Sequence, residues 1–169
     1  MAPTPEQKRT LIVKDLYYEL NMLLSLSRYR DALSRMIVLQ SPFNGDNVML
    51  PTIKEVQLTH MRTLIGFFYM PHPPIAEEFV RRGVDWRAIC GDIDTTPDVH
   101  DAWRMISNFL SHLNYERIEV ANDTAVDEMY TRTLRLLILK SVLFLDSVDQ
   151  QYTSTELIEL RESLRALLT

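Results

Sequence analysis

The sequence predicts an all-α protein, an up-and-down bundle of four to five helices with an irregular excursion between helices 2 and 3. Three observations carry that expectation. Apolar residues recur at intervals of three and four over long stretches, which is the period of one helix face. Thr4-Pro5 and Thr96-Pro97 mark helix starts, because a hydroxyl caps free amides and proline fits the first helical position. Only 4 glycines occur in 169 residues, too few for a fold rich in tight turns.

The first helix starts at Thr4, with Gln7 placed to reach back to it. Leu16, Leu20, Leu23 and Leu24 form its apolar stripe, and the pattern runs to about Leu39. One continuous helix and two in tandem both fit, with Ser25, Ser27 and Ser34 as weak points. Pro42, Gly45 and Asp46 make a loop. A second helix runs from near Thr52 to Met70, where Pro71-His72-Pro73-Pro74 stops it. Its stripe is Ile53, Val56, His60, Leu64, Phe67 and Phe68. The excursion, 71–96, has room for a short helix around Ile75 to Arg82, and Trp86 is expected to pin it to the bundle. The third helix, from Thr96, places Val99, Trp103, Ile106, Leu110, Leu113 and Arg117 on one face. After a break near Asn122-Asp123, the fourth carries Val126, Tyr130, Leu137, Phe144 and Val148. Thr153 with Glu156 has capping-box spacing for a last helix ending near Leu168. The whole chain, 1–169, reads as a single helical-bundle domain.

Composition narrows the function. A formal net charge of −5 argues against a broad nucleic-acid footprint, and no DNA partner is expected. The single cysteine, Cys90, excludes an internal disulfide and a cysteine-based zinc cage, and suits a reducing compartment. The longest apolar run, Leu134 to Leu145, is interrupted by Arg135, Lys140 and Ser141, so it is too short and too polar to span a bilayer. The first residues lack the apolar core of a signal peptide. A cytoplasmic protein with no membrane association is the expectation. The scattered glycines build no phosphate loop, and the histidines show no HExxH spacing, so neither a cofactor nor a metal is expected.

The polar residues inside the apolar pattern are the candidate site. Ile106 to Arg117 places an imidazole, a phenol, a carboxylate and a guanidinium within a few turns, a costly set beside a core unless paired or used. His60 interrupts the second stripe as Arg117 interrupts the third, and Glu19 flanks the first. His60, Arg62, Glu19 and Glu116 form the expected polar core cluster, around which His112 and Arg117 gather. One use is a buried or semi-buried network that sets helix register. The other is catalysis on a phosphodiester: His112 moves a proton, Arg117 or Arg62 stabilises charge, and Asn108 and Tyr115 complete the set. Arg81-Arg82 with Trp86 and Arg87 is either a loop anchor or a base-stacking surface. Tyr17, Tyr18 and Tyr29 exceed what one stripe needs, so a homodimer through the first helix or the helix carrying His112 is expected.

Two segments carry a resemblance. Leu58-Thr59-His60-Met61-Arg62-Thr63-Leu64-Ile65-Gly66-Phe67-Phe68 and Leu110-Ser111-His112-Leu113-Asn114-Tyr115-Glu116-Arg117 resemble the second-helix and His-Leu-x-Tyr-x-Arg patterns of a bacterial helical-bundle family of HEPN-like type (prokaryote and eukaryote nucleotide-binding helical bundles). Asp85-Trp86 fits between them, and the likeness spans residues from about 10 to 148. It implies an all-α bundle that pairs as a dimer and acts as an interaction module with a partner protein or RNA. The alternative it implies is a metal-independent endoribonuclease of a toxin or phage-defence type centred on His112. Ribonuclease relatives set an arginine and a histidine a few residues apart on one helix. Asn108 and His112 match the polar residue and the histidine, whereas Arg104 departs from the arginine position.

Overall fold

The computed structural model describes residues 4–40, 49–71, 76–111 and 124–168. The architecture is all-α, a bundle of several helices, as the apolar periodicity requires. The first helix opens on a capping box. Gln7 N donates to Thr4 Oγ1 at 3.2 Å, and Thr4 N donates to Gln7 Oε1 at 2.8 Å. From there α1 (Pro5–Thr10) passes without a break through a π-helical stretch (Leu11–Leu16) into α2 (Tyr17–Gln40). The leucine stripe therefore lies on one continuous rod. Ile12, Leu16 and Leu20 are four residues apart, and all three are buried. In a pure α-helix each such step drifts by about 40° around the axis. The wider π turn absorbs part of that drift and keeps the three side chains on the core.

The next helix, α3 (Met49–Tyr69), begins three residues before Thr52. Pro51 then falls in the first turn, where no intrahelical partner is needed for its missing amide. Leu58, Met61, Leu64, Ile65, Phe67 and Phe68 of α3 are buried, but Val56 is 36 % exposed. That corrects the expected stripe: α2 covers the side of α3 that holds Gln57 and His60, and Val56 is left at its margin.

The excursion is tighter than a helix over 75–82. It consists of a 3-10 turn (Ala76–Phe79), the short α4 (Trp86–Cys90) capped by Asp85, and a second 3-10 turn (Ile93–Thr95). Gly91 ends α4 at φ +88°, a conformation side-chain-bearing residues rarely adopt, and Thr96 Oγ1 lies 2.9 Å from where a Cβ would stand. Trp86 is 2 % exposed, and its Nε1 donates to Phe68 O at 3.2 Å. It is an anchor, which removes the reading of an exposed base-stacking tryptophan beside Arg81 and Arg82.

Then follow α5 (Pro97–Ser111), α6 (Thr124–Ser147), a 3-10 turn (Gln150–Tyr152) and α7 (Thr155–Arg165). Tyr130, Leu137, Phe144 and Val148 are buried as their spacing demands. One antiparallel bridge, Val80 with Val148, ties the excursion to the end of α6. The last helix is capped by Ser154, whose Oγ accepts from Leu157 N at 3.3 Å, and not by Thr153. Thr153 is taken up by the preceding turn, where its amide donates to Gln150 O at 3.1 Å. The helix also stops at Arg165, short of Leu168. Among the described residues no helix is long and apolar enough to cross a membrane.

Replacing the buried anchor tests this packing. Trp86→Ala empties a large site and strands Phe68 O, so it is expected to cost about 3–5 kcal/mol in urea or thermal unfolding. A loss under about 1 kcal/mol would mean the excursion is not held by this ring.

Candidate functional site

The seam between α2 and α3 holds the polar residues that the apolar pattern could not absorb. His60 is only 7 % exposed, and its Nδ1 lies 2.7 Å from Glu19 Oε2. The edge of the Tyr18 ring packs against the imidazole, with centroids 5.8 Å apart. A buried imidazole needs a partner, and the Glu19 carboxylate supplies one across 41 positions of chain. Further along the seam, Gln57 Nε2 donates to Ser27 Oγ at 3.3 Å, and Ser27 Oγ donates to Leu23 O at 2.7 Å. These two polar contacts lock α2 and α3 in register.

The other members of the expected cluster lie elsewhere. Arg62 is half-buried and stacks over the Trp103 ring at 5.2 Å. Asn108 is exposed on α5. His112, Tyr115, Glu116 and Arg117 lie outside the described residues, as do the chain at 41–48 and 72–75. The structure thus brings together Glu19 and His60 and sets Arg62 against a different helix.

Beside the seam is a cleft of about 420 Å³. The π-helical stretch and α2 contribute Leu11, Asp15, Leu16 and Glu19. From α3 come Thr63, Leu64, Gly66, Phe67 and Met70, and α5 adds Trp103. The walls are mainly apolar, and among the described residues the charged side chains lining it are Asp15 and Glu19. This volume lies within the usual range of small-molecule sites. Sequence reading missed the cleft, although Gly66 was a signal: a glycine in mid-helix costs up to about 1 kcal/mol against alanine. No heavy atom lies within 4 Å of where its Cβ would stand, so no close packing inside the described chain requires a glycine there.

Two other groups invite a chemical reading and do not support one. Burial pushes the Cys90 thiol up to about 11, only partly offset by nearby Lys140 and by Tyr69. Burial also raises the Tyr69 phenol well above its ordinary range. Both are held in their neutral forms and are poor nucleophiles at neutral pH. Among the described residues no three His, Cys, Asp or Glu side chains converge to hold a metal ion.

No known protein family, no protein of curated function and no solved structure matches the chain.

Two measurements check this chemistry. His60→Ala leaves the Glu19 carboxylate without its partner and is expected to cost about 1–3 kcal/mol, toward the lower end because Glu19 is partly exposed. A double-mutant cycle with Glu19→Ala should return a coupling of at least about 0.5 kcal/mol; strict additivity would separate the two residues. At pH 8 a thiol titrating near 11 is about one part in a thousand thiolate, so the native protein should react slowly with an aromatic disulfide reagent and rapidly once unfolded. Fast native labelling would contradict the burial of Cys90.

Proposed function

We propose that this protein is a helical interaction module of HEPN-like type that pairs with a second copy of itself through the outer face of α2. The observation that carries the reading is a pair of exposed aromatics. Tyr18 is 55 % exposed and Tyr29 65 % exposed. Eleven residues apart, they sit within roughly 20° of one another around the helix and about 16 Å apart along it. Positions 18, 22, 25 and 29 on that line are Tyr, Met, Ser and Tyr, with no charge among them. Across the seam, Val56 and Thr59 of α3 are also exposed and uncharged.

Tyrosine and methionine are enriched in the centres of protein interfaces, where charges are depleted. Charge also argues for a second copy. A chain of formal net charge −5 repels itself, and an uncharged stripe is where two copies meet without setting like charges together. A two-fold interface requires the same patch on both partners, and a line of tyrosines along one helix meets that condition.

The ribonuclease reading rests on His112, Tyr115 and Arg117, outside the described residues. The described residues add no basic cleft to it, so the interaction reading is preferred. Sedimentation at tens of micromolar should show a dimer, and Tyr18→Asp with Tyr29→Asp should weaken pairing by about 2 kcal/mol or more while leaving the fold intact. A monomer throughout that range would overturn the proposal. Single-stranded RNA incubated with the protein and EDTA should stay whole; cleavage that disappears in His112→Ala would replace the interaction module with the ribonuclease.

A further inference from the structure

We propose that the cleft beside the Glu19–His60 pair binds a small amphiphilic ammonium compound, an alkyl or aryl body carrying one protonated amine. The inference does not depend on the dimer, since neither exposed tyrosine lines the cleft.

Shape is the first argument. About 420 Å³ of space is walled by Leu11, Phe67, Met70 and Trp103, an apolar lining suited to a hydrocarbon or aromatic body. Two departures from ordinary helix construction make this room. The chain is π-helical over Leu11–Leu16, and that stretch supplies one wall. Short π segments inside α-helices occur frequently at functional sites. On the facing helix stands Gly66, with open space where a side chain would be. A leucine or alanine there would stabilise α3 and fill the cleft, and the sequence has neither.

Charge is the second argument, and it selects the head group. Asp15 and Glu19 are the ionisable side chains of the lining, and both are anionic. Asp15 is exposed and makes no ion pair among the described residues. Glu19 gives Oε2 to His60, and among the described residues its other oxygen has no hydrogen-bond donor. Among the described residues no lysine or arginine lines the cleft; the guanidinium of Arg62 is stacked on Trp103. Thr63 Oγ1 donates to Thr59 O at 3.2 Å, so towards a ligand it presents lone pairs. A carboxylate or phosphate would enter against two negative charges, with no cationic donor among the described lining residues to meet it. An ammonium group meets two carboxylates, and charge-assisted hydrogen bonds are the stronger kind. The apolar body then removes Phe67 and Trp103 surface from water.

Calorimetric titration of the full chain tests the assignment with n-octylammonium and n-octanoate at equal ionic strength. Octylammonium should bind, and octanoate should bind about tenfold more weakly or not at all. Asp15→Asn should reduce octylammonium affinity several-fold and narrow the gap between the two probes. Gly66→Leu should abolish binding by occupying the cleft, and Gly66→Ala should keep the fold and raise the melting temperature. Absence of octylammonium binding at millimolar concentration would overturn the proposal. So would equal affinity for octanoate, or unchanged affinity in a Gly66→Leu variant that melts no lower than the wild type.

Discussion

The ring of Phe144 is the point at which the separate parts of this chain become one structure. It lies fully buried on α6 and meets Phe67 at 5.3 Å, Phe68 at 5.7 Å and Trp86 at 5.4 Å between centroids. Phe67 in turn touches Phe79, which stacks edge-on with Tyr152. Through these contacts α3, α6, the excursion and the turn before α7 share one aromatic cluster. Aromatic rings carry the largest apolar area per residue, and their edge-to-face preference adds direction to an otherwise undirected force. The largest side chains that the excursion buries are Phe79 and Trp86, so its path is set by where these two rings are received. The backbone follows: Asp149 N donates to Phe79 O and Arg81 N donates to Ser147 O, both at 2.9 Å. Lys140 Nζ adds a cap on Ile89 O at 2.8 Å.

With that end of α3 fixed, polar contacts set the register of the α2–α3 seam. Glu19 with His60 and Ser27 with Gln57 act as two spaced pins. An apolar seam tolerates sliding by a turn at modest cost, because one leucine replaces another. A carboxylate–imidazole pair does not, since a shift of one turn leaves a buried imidazole and a partly buried carboxylate without partners. The seam therefore exchanges some burial energy for a single register, and that register places Asp15 and Glu19 opposite Gly66.

How much of this was legible follows from which force decided each element. The helices were legible because burial imposes a period of 3.6, and Leu20, Leu64, Ile106, Leu137 and Leu160 all stand on it. His60 was legible for the same reason: an imidazole one turn from Leu64 has to be buried and paired. Its partner Glu19 was named in the expected cluster, but alongside Arg62 and Glu116, because pairing across helices depends on rotation that period alone leaves open. Thr153 failed as a cap through local competition, its amide already committed to Gln150 O. Val56 failed because the stripe of a helix packed on two sides is wider than its centre, and its margin is set by the neighbour. Of the cleft only Gly66 left a trace in the sequence, since a cleft is made by where side chains stop.

Three departures from ordinary helix construction meet beside the cleft: a π-helical stretch inside a long α-helix, a glycine in mid-helix, and a histidine in an apolar stripe. Each carries a cost on its own, in hydrogen-bond geometry, in backbone entropy and in desolvation. Distributed at random along the chain, they would read as tolerated defects. They are not distributed at random. Leu11–Leu16 walls the cleft, Gly66 leaves it open, and His60 holds the Glu19 carboxylate that lines it. Local departures from folding rules that gather at one place point to something other than folding being served there. The cleft is therefore better understood as the purpose of those three departures than as a by-product of how α2, α3 and α5 happen to meet.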